Sequence, residues 1–472
     1  MPVLFIGIPL LAVIILNLPF KEAGKKSAFW VAIFVTLAQI AISLTAGSTI
    51  WLKTDSVINT QFIANLSIDF FSAVVLFTIG LIAFVCLIVN KYSASGDSFN
   101  FINLILLIIA GMNGVVMVTD LFSLYVFLEV TSIASFILIA LYKQKEGLEG
   151  AFKYLILSAM ATIMMLSAIA LIFMMTGETR FTAVGQYIEG LKGAYPFQIV
   201  LAFILFTAGL SIKAGLVPFH AWVPDAYSSP SSAVSVLLAG IVTKVSGVYI
   251  IMRLFKDVFS DVSAIGNILV VLGLISIIIG ALAAIGQNDF KRMLAYSSIS
   301  QIGYIILGVG TGLPLGFAGA LLHFFNHSTF KSLLFVNSAA VEMQTGKRDI
   351  DKLGGLASKM PVTAGSSIIA FLSTAGIPPL SGFWSKLVII IAVWSVSPVA
   401  AGIALLASII TLAYFLILQK KVFFGKPAEG MEDVKESNVG IVGIEILLSG
   451  ITIAMGILFP LVLIFMQSKG LI

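Results

Sequence analysis

From one end to the other the chain is a succession of long apolar runs separated by short polar breaks. Runs of about 20 residues are what the hydrocarbon core of a bilayer demands of a helix. The breaks predict fourteen such spans. The first six lie near residues 2–20, 28–50, 65–89, 99–119, 121–142 and 151–175. The remaining eight lie near 196–220, 228–254, 263–287, 292–311, 315–341, 360–397, 399–424 and 438–466. The run Pro2–Phe20 lacks a basic leader and a small-residue cleavage site, so it reads as a first span and not a signal peptide. The seventh span is broken by KAGLVPFHAWVPDA (213–226) and the twelfth by TAGIPPLSGFWSK (374–386).

Composition changes the picture in one respect. By length alone, 472 residues would suit two or three soluble domains. Hydrophobic residues at 59%, charged residues at 10% and a mean hydropathy of +1.11 replace that with an all-α polytopic membrane protein. The single cysteine, Cys86, lies mid-span and offers neither a disulfide framework nor a cysteine metal site. The net charge of +5 sits mostly in short loops, which argues against a nucleic-acid partner. Loops after odd-numbered spans hold 17 Lys and Arg against 5 in the even ones, a bias that predicts odd loops in the cytoplasm and both termini outside.

The two broken spans resemble one another. AGLVPF (214–219) matches AGIPPL (375–380) at an offset of 161 residues, with Trp222 and Phe383 in register. That offset suggests two five-span units, 99–254 and 263–424, preceded by three helices over 1–98 and followed by one over 438–466. An odd number of spans per unit makes the copies inverted. Inverted repeats with broken helices place transporter ion sites where the breaks expose backbone. The plainer alternative is that each proline kink only shapes packing.

Four lysines fall inside spans: Lys213, Lys244, Lys331 and Lys386, as does Glu129. Each charge at mid-bilayer costs about 2.5–3.5 kcal/mol on the insertion scale unless paired or hydrated. Glu129 lies nine residues beyond Asp120, about 13 Å at helical rise, too deep to snorkel easily. Pairing Glu129 with Lys213 across neighbouring helices is the simplest economy. In LLHFFNHSTFKSLLF (321–335), His323, His327 and Lys331 recur every four residues, about 6 Å apart along one face, and read as a wet stripe that water could bridge. Two imidazoles so spaced could also hold a metal, but no third ligand is near in sequence; a hydrogen-bonded core pair is the other alternative. Asp69 and Glu445 are expected at the membrane interface, and His220 is either a gate or a turn residue. No phosphate loop, haem or iron–sulfur spacing, or nucleophile constellation is present.

Four motifs in order, IKAGLVPFHAWVPDAYSSPSSAVSVLLAGIVTKVSGVYIIMR, NDFKRMLAYSSISQIGYI, HFFNHSTFKSLLF and GIPPLSGFWSK, resemble the antiporter-like membrane subunits of complex I, Mrp-type Na+/H+ antiporters and membrane-bound hydrogenases. The resemblance implies fourteen helices, two inverted repeats and breaks in helices seven and twelve. It assigns proton translocation to Glu129, Lys213, Lys244, His323, His327, Lys331 and Lys386. The proton would be taken up near Lys244, pass along the central stripe and leave by Lys386, with Glu129 and Lys213 as the switch. Some relatives carry glutamate at the last position, and the longest add a lateral helix beyond the final span; this sequence resembles the shorter kind. The resemblance further implies no catalytic centre in this chain, with iron–sulfur, nickel–iron or flavin cofactors only in partner subunits. Expected partners are homologous or small hydrophobic membrane subunits and peripheral redox subunits in a prokaryotic cytoplasmic membrane. The transported ion is H+, with Na+ an open alternative in the assembly. A redox-driven complex is the first reading, an Mrp-type antiporter the second, and a non-conducting scaffold the third.

Overall fold

The computed structural model describes residues 1–18, 21–52, 57–61, 65–93, 98–259 and 262–468. Its elements are α1 (Pro2–Leu16), α2 (Lys21–Leu52), a hairpin of β1 (Ile58–Gln61) and β2 (Asn65–Ile68), α3 (Phe70–Tyr92), α4 (Ser98–Met117) and α5 (Leu121–Ala140). They continue with α6 (Lys145–Thr176), α7 (Phe181–Gly190), α8 (Phe197–Ala214), α9 (Trp222–Ser228) and α10 (Ser232–Leu237). Two π-helical turns, Leu238–Val242 and Lys244–Tyr249, lead into α11 (Ile250–Asp257). Then come α12 (Ser263–Ile285), α13 (Phe290–Gly310), α14 (Pro314–Thr345), α15 (Pro361–Ala375) and α16 (Ser381–Val396). Last are α17 (Pro398–Gln419), ending in the π turn Lys420–Phe424, α18 (Val439–Ile457) and α19 (Phe459–Ser468).

Among the described residues, eleven helical segments are long and apolar enough to cross a bilayer. Together with α1, α14 and the broken α15–α16 pair they fall on the fourteen predicted runs. The chain is a multi-pass helical membrane protein. Its exterior is apolar: Phe152, Ile163 and Met174 on α6 and Leu406 and Ile409 on α17 point outward. Serines, threonines and charges are enclosed instead, because lipid solvates leucine as well as a protein core does, whereas polar groups need partners. Helix α14 is the extreme case, buried on every side from Ala318 to Val341.

The chain forms two compact units: Met1–Leu87 with Ser95–Gly215 and Ile241–Ile265, and Ile88–Ala94 with Leu216–Gly240 and Gly266–Ile472. Each contains the same local construction. In the first, Asp120 caps α5 by accepting from the Ser123 N–H, and α6 runs 32 residues to a left-handed Gly177. The chain then returns to pair with the start of α5, through Leu121 N to Thr179 O (2.9 Å) and Phe181 N to Thr119 O (3.0 Å). In the second, Asp289 caps α13 at the Arg292 N–H, α14 runs 32 residues to a left-handed Gly346, and Phe290 N and Ile350 N pair with Arg348 O and Asn288 O. These equivalences lie 169 residues apart, not the 161 that relates the breaks. The eight-residue difference falls between the glycines: the first unit carries the amphipathic α7 where the second has only two 3-10 turns, Ile350–Lys352 and Leu356–Ser358.

Both breaks follow one recipe. Helices α8 and α15 end on Gly215 (φ +67°) and Gly376 (φ +85°), a left-handed conformation that side-chain-bearing residues resist. A cis proline follows in each, Pro218 and Pro379. The chain then resumes as α9 and α16.

Candidate functional site: buried lysines and their acceptors

In the first unit, α5, α6 and α8 pack together and enclose Lys213, which is inaccessible to solvent. Its ammonium lies 3.4 Å from Glu129 Oε1 and donates to two hydroxyls at shorter range, Ser132 Oγ (2.7 Å) and Ser158 Oγ (2.6 Å). Glu129 retains 26% side-chain exposure and accepts a short hydrogen bond from the Thr162 hydroxyl. The sequence-predicted pair is therefore present, but the lysine rests more closely on serines than on its counter-ion. Lys244 begins the second π turn and is fully buried. Three residues on, Gly247 packs against the backbone of Ala214, where any side chain would collide, so the π turn lies directly on the end of α8.

In the second unit, α14 carries the predicted stripe. The His323 and His327 rings stack with centroids 6.1 Å apart and planes 10° from parallel. His323 Nδ1 lies 2.9 Å from Ser385 Oγ on α16, and Asn326 donates to Ser381 O and Ser385 Oγ beside it. Lys331 donates to Leu294 O (3.2 Å) and Ser297 Oγ (2.9 Å) on α13, and sits 5.9 Å from the centre of the Phe415 ring. Tyr414 donates to the same Ser297 Oγ. Lys386 turns back across the break to donate to Thr374 O (2.7 Å), with its ammonium 4.4 Å over the Tyr304 ring. All four lysines and both histidines are at most 3% exposed.

The geometry also contains what the sequence did not reveal. Glu445, expected at the interface, is fully enclosed: Asn337 of α14 donates to its Oε1 (2.8 Å) and Thr363 of α15 to its Oε2 (3.0 Å). Lys291, counted among loop charges, is buried and pairs with Glu342 at 2.8 Å. Arg253, also counted as a loop charge, forms a two-pronged pair with Asp69 (2.7 and 2.9 Å), sealed by Ser72 and Tyr249. Burial alone would raise the Asp69 carboxyl, but the Arg253 guanidinium and the Ser72 N–H hold it well below the usual carboxylate range. His220 lies within the first break, its ring centre 6.5 Å from that of Tyr296.

The transmembrane family described as NADH:quinone oxidoreductase/Mrp antiporter matches residues 118–411, which contain all seven of these predicted residues. One Na+/H+ antiporter subunit of Alkalihalophilus pseudofirmus is 33% identical over 362 residues, covering 76% of this chain and 73% of that one. One NADH-quinone oxidoreductase subunit of Desulforudis audaxviator is 35% identical over 336 residues, covering 70% of this chain and 66% of its own length. Among solved structures, a chain of the Mrp complex from Dietzia sp. DQ12-45-1b superposes with a TM-score of 0.89 at 26% identity, over 100% of this chain and 96% of that one. The chain belongs to the NADH:quinone oxidoreductase/Mrp antiporter transmembrane family, as one of its antiporter-like membrane subunits.

Proposed function

We propose that the chain translocates protons, with Glu129 and Lys213 as the switch, Lys244, His323, His327 and Lys331 as relay groups and Lys386 as the release group. The observation that carries this reading is the environment of Lys213. A lysine with no solvent access is held by a carboxylate at 3.4 Å and, at shorter range, by two hydroxyls at 2.7 and 2.6 Å. Such a group can change its electrostatic surroundings while keeping its two shorter hydrogen bonds, which is what a switch requires. External termini follow from the loop-charge bias, and uptake from the cytoplasmic side is what the family resemblance implies.

The chain works within a multisubunit complex in a prokaryotic cell membrane, beside other membrane subunits and peripheral subunits that hold the flavin, iron–sulfur or nickel–iron cofactors. This redox-driven reading has support in the likeness to the quinone oxidoreductase subunit. An Mrp-type antiporter is the second reading, favoured by the end-to-end match to the Dietzia chain. Tagging the chain, extracting it in mild detergent and identifying its companions separates the two. Redox subunits support the first; small hydrophobic companions alone sink it in favour of the second. Reconstituting that complex in liposomes with a pH-sensitive dye then tests the common claim: no proton movement under either an electron-transfer or a sodium drive defeats both.

A further inference from the structure

Glu445 does not belong to the stripe or the switch, yet it is as deeply enclosed as any residue in them. Its neighbours form a nest of oxygens. Thr363 Oγ1 lies 3.0 Å from Glu445 Oε2 and 2.7 Å from Glu436 Oε1. Glu436 Oε2 in turn accepts from the Val362 N–H at the start of α15. A threonine hydroxyl has one hydrogen, so it cannot donate to two carboxylates at once. Both contacts stand together only if one carboxyl bears a proton or a cation lies between them. Among the described residues, no basic side chain forms an ion pair with either glutamate. Lys359, two residues before α15, donates to the Glu432 carbonyl.

A second observation points the same way. The Asn337 carboxamide uses its nitrogen on Glu445 and Ser366, and its own oxygen is left buried with no hydrogen-bond partner. The hydroxyl of Ser449, one turn along α18 from Glu445, is equally buried and unpartnered, as is that of Ser437 beside Glu436. Buried lone pairs without donors are costly in any protein and suit a small hard cation.

We infer that Glu445, Glu436, Thr363 and Asn337 form a binding site for one small monovalent cation, a proton or a sodium ion, on the 425–438 side of the second unit. The site has a polar connection inward. Asn337 lies on α14 six residues, about 9 Å, from Lys331. Ser367, next to Ser366, accepts from Gln419 on α17. Gln419 is one turn from the Phe415 ring that Lys331 faces. The site therefore loads the Lys331 end of the stripe, a role that rests on the proton-translocating reading; the binding itself does not.

Infrared difference spectroscopy of the purified complex tests binding without reference to transport. In sodium-free buffer at about pH 6, where an exposed glutamate is ionised, a protonated-carboxyl stretch is expected in the native protein and lost in Glu445→Gln or Glu436→Gln. Loss of that band on adding sodium chloride, with choline chloride inert, identifies sodium as an occupant. A band indifferent to sodium identifies the proton alone. Neither a band nor any sodium-induced change in the native protein overturns the site. Thr363→Val, which keeps both carboxylates, is expected to shift the band and serves if the glutamate variants fail to assemble. If Lys213→Ala still translocates protons, the functional reading falls while the spectroscopic result stands.

Discussion

The α5–α6 contact of the first unit and the α13–α14 contact of the second share one frame and differ in where they put the charge. Residues 162 and 331 are equivalent by the 169-residue spacing that relates Gly177 to Gly346. In the first unit a neutral donor, the Thr162 hydroxyl, meets a charged acceptor, Glu129. In the second a charged donor, Lys331, meets neutral acceptors, the Leu294 carbonyl and Ser297 hydroxyl. The breaks show the same exchange. Lys213 stands before the first break and reaches a carboxylate, whereas Lys386 stands after the second and reaches the carbonyl of Thr374, which is the counterpart of Lys213 at the 161-residue spacing. A carboxylate favours ammonium over amine. A carbonyl or hydroxyl accepts from either, so a lysine held that way can be charged or neutral at smaller cost. Under the proposed function, the first unit would hold a charge and the second pass one on.

Removing the held charge is the harshest test. Lys213→Ala is expected to lower proton translocation by about 100-fold, the scale of an essential proton-transfer group, with the complex still assembled. Dye-monitored flux in liposomes at the native rate would defeat it. Lys331→Gln should come next, with flux down by at least about tenfold. Its assembled yield should stay near the native one, because glutamine keeps an N–H donor for the Leu294 carbonyl and the Ser297 hydroxyl. A fall in yield with normal flux per complex would make Lys331 structural.

Glu129→Gln sharpens the comparison by giving the first unit the neutral acceptor of the second. Ser132 and Ser158 still hold the lysine, so the expected loss is about tenfold, equivalent to ~1.4 kcal/mol of interaction. A loss as deep as that of Lys213→Ala would mean the carboxylate carries protons itself. Ser158→Ala removes one of two hydroxyls and should cost about 0.5–1.5 kcal/mol in the lysine's attachment. Flux should fall only a few-fold, and Ser158→Thr should restore it.

How much of this was visible in the chain depends on what the residues compete with. The spans stood out because lipid tolerates no long polar stretch, and the breaks because Gly-x-Pro is costly within a helix. The Glu129–Lys213 pair followed from the price of two isolated charges. Glu445, Lys291 and Arg253 escaped because each lies within two turns of a helix end, where sequence does not distinguish a charge reaching water from one enclosed by a neighbouring helix. The hydroxyls of Ser132, Ser158, Ser297 and Ser385 escaped because serine also serves close helix packing in membranes. Only Ser132, three residues from Glu129 on its own helix, and Ser385, next to Lys386, could have drawn notice. Helix α7 lay in a stretch assigned no structure, and it concealed the change of repeat spacing from 169 to 161.

The smallest effect on transport is expected at a charge pair that is half-buried and belongs to neither the proposed switch nor the proposed relay. Arg253 is held to Asp69 by two hydrogen bonds, with side-chain exposures of 11% and 20%. Asp69→Asn would leave that guanidinium to Asp257 alone, 3.2 Å away and one turn along, so the loss should stay below the roughly 3 kcal/mol of a fully orphaned buried charge. Flux per assembled complex should stay native while thermal stability falls. The pH dependence follows from the direction of the Asp69 shift. Its folded value lies below the unfolded one of about 3.9, so the pair's contribution is complete above that pH and fades as pH drops toward the folded value. The stability gap between native and Asp69→Asn should therefore be constant from neutral pH down to about 5 and narrow below about 4. A gap that widened with acid would show that Asp69 is not the carboxylate that neutralises Arg253.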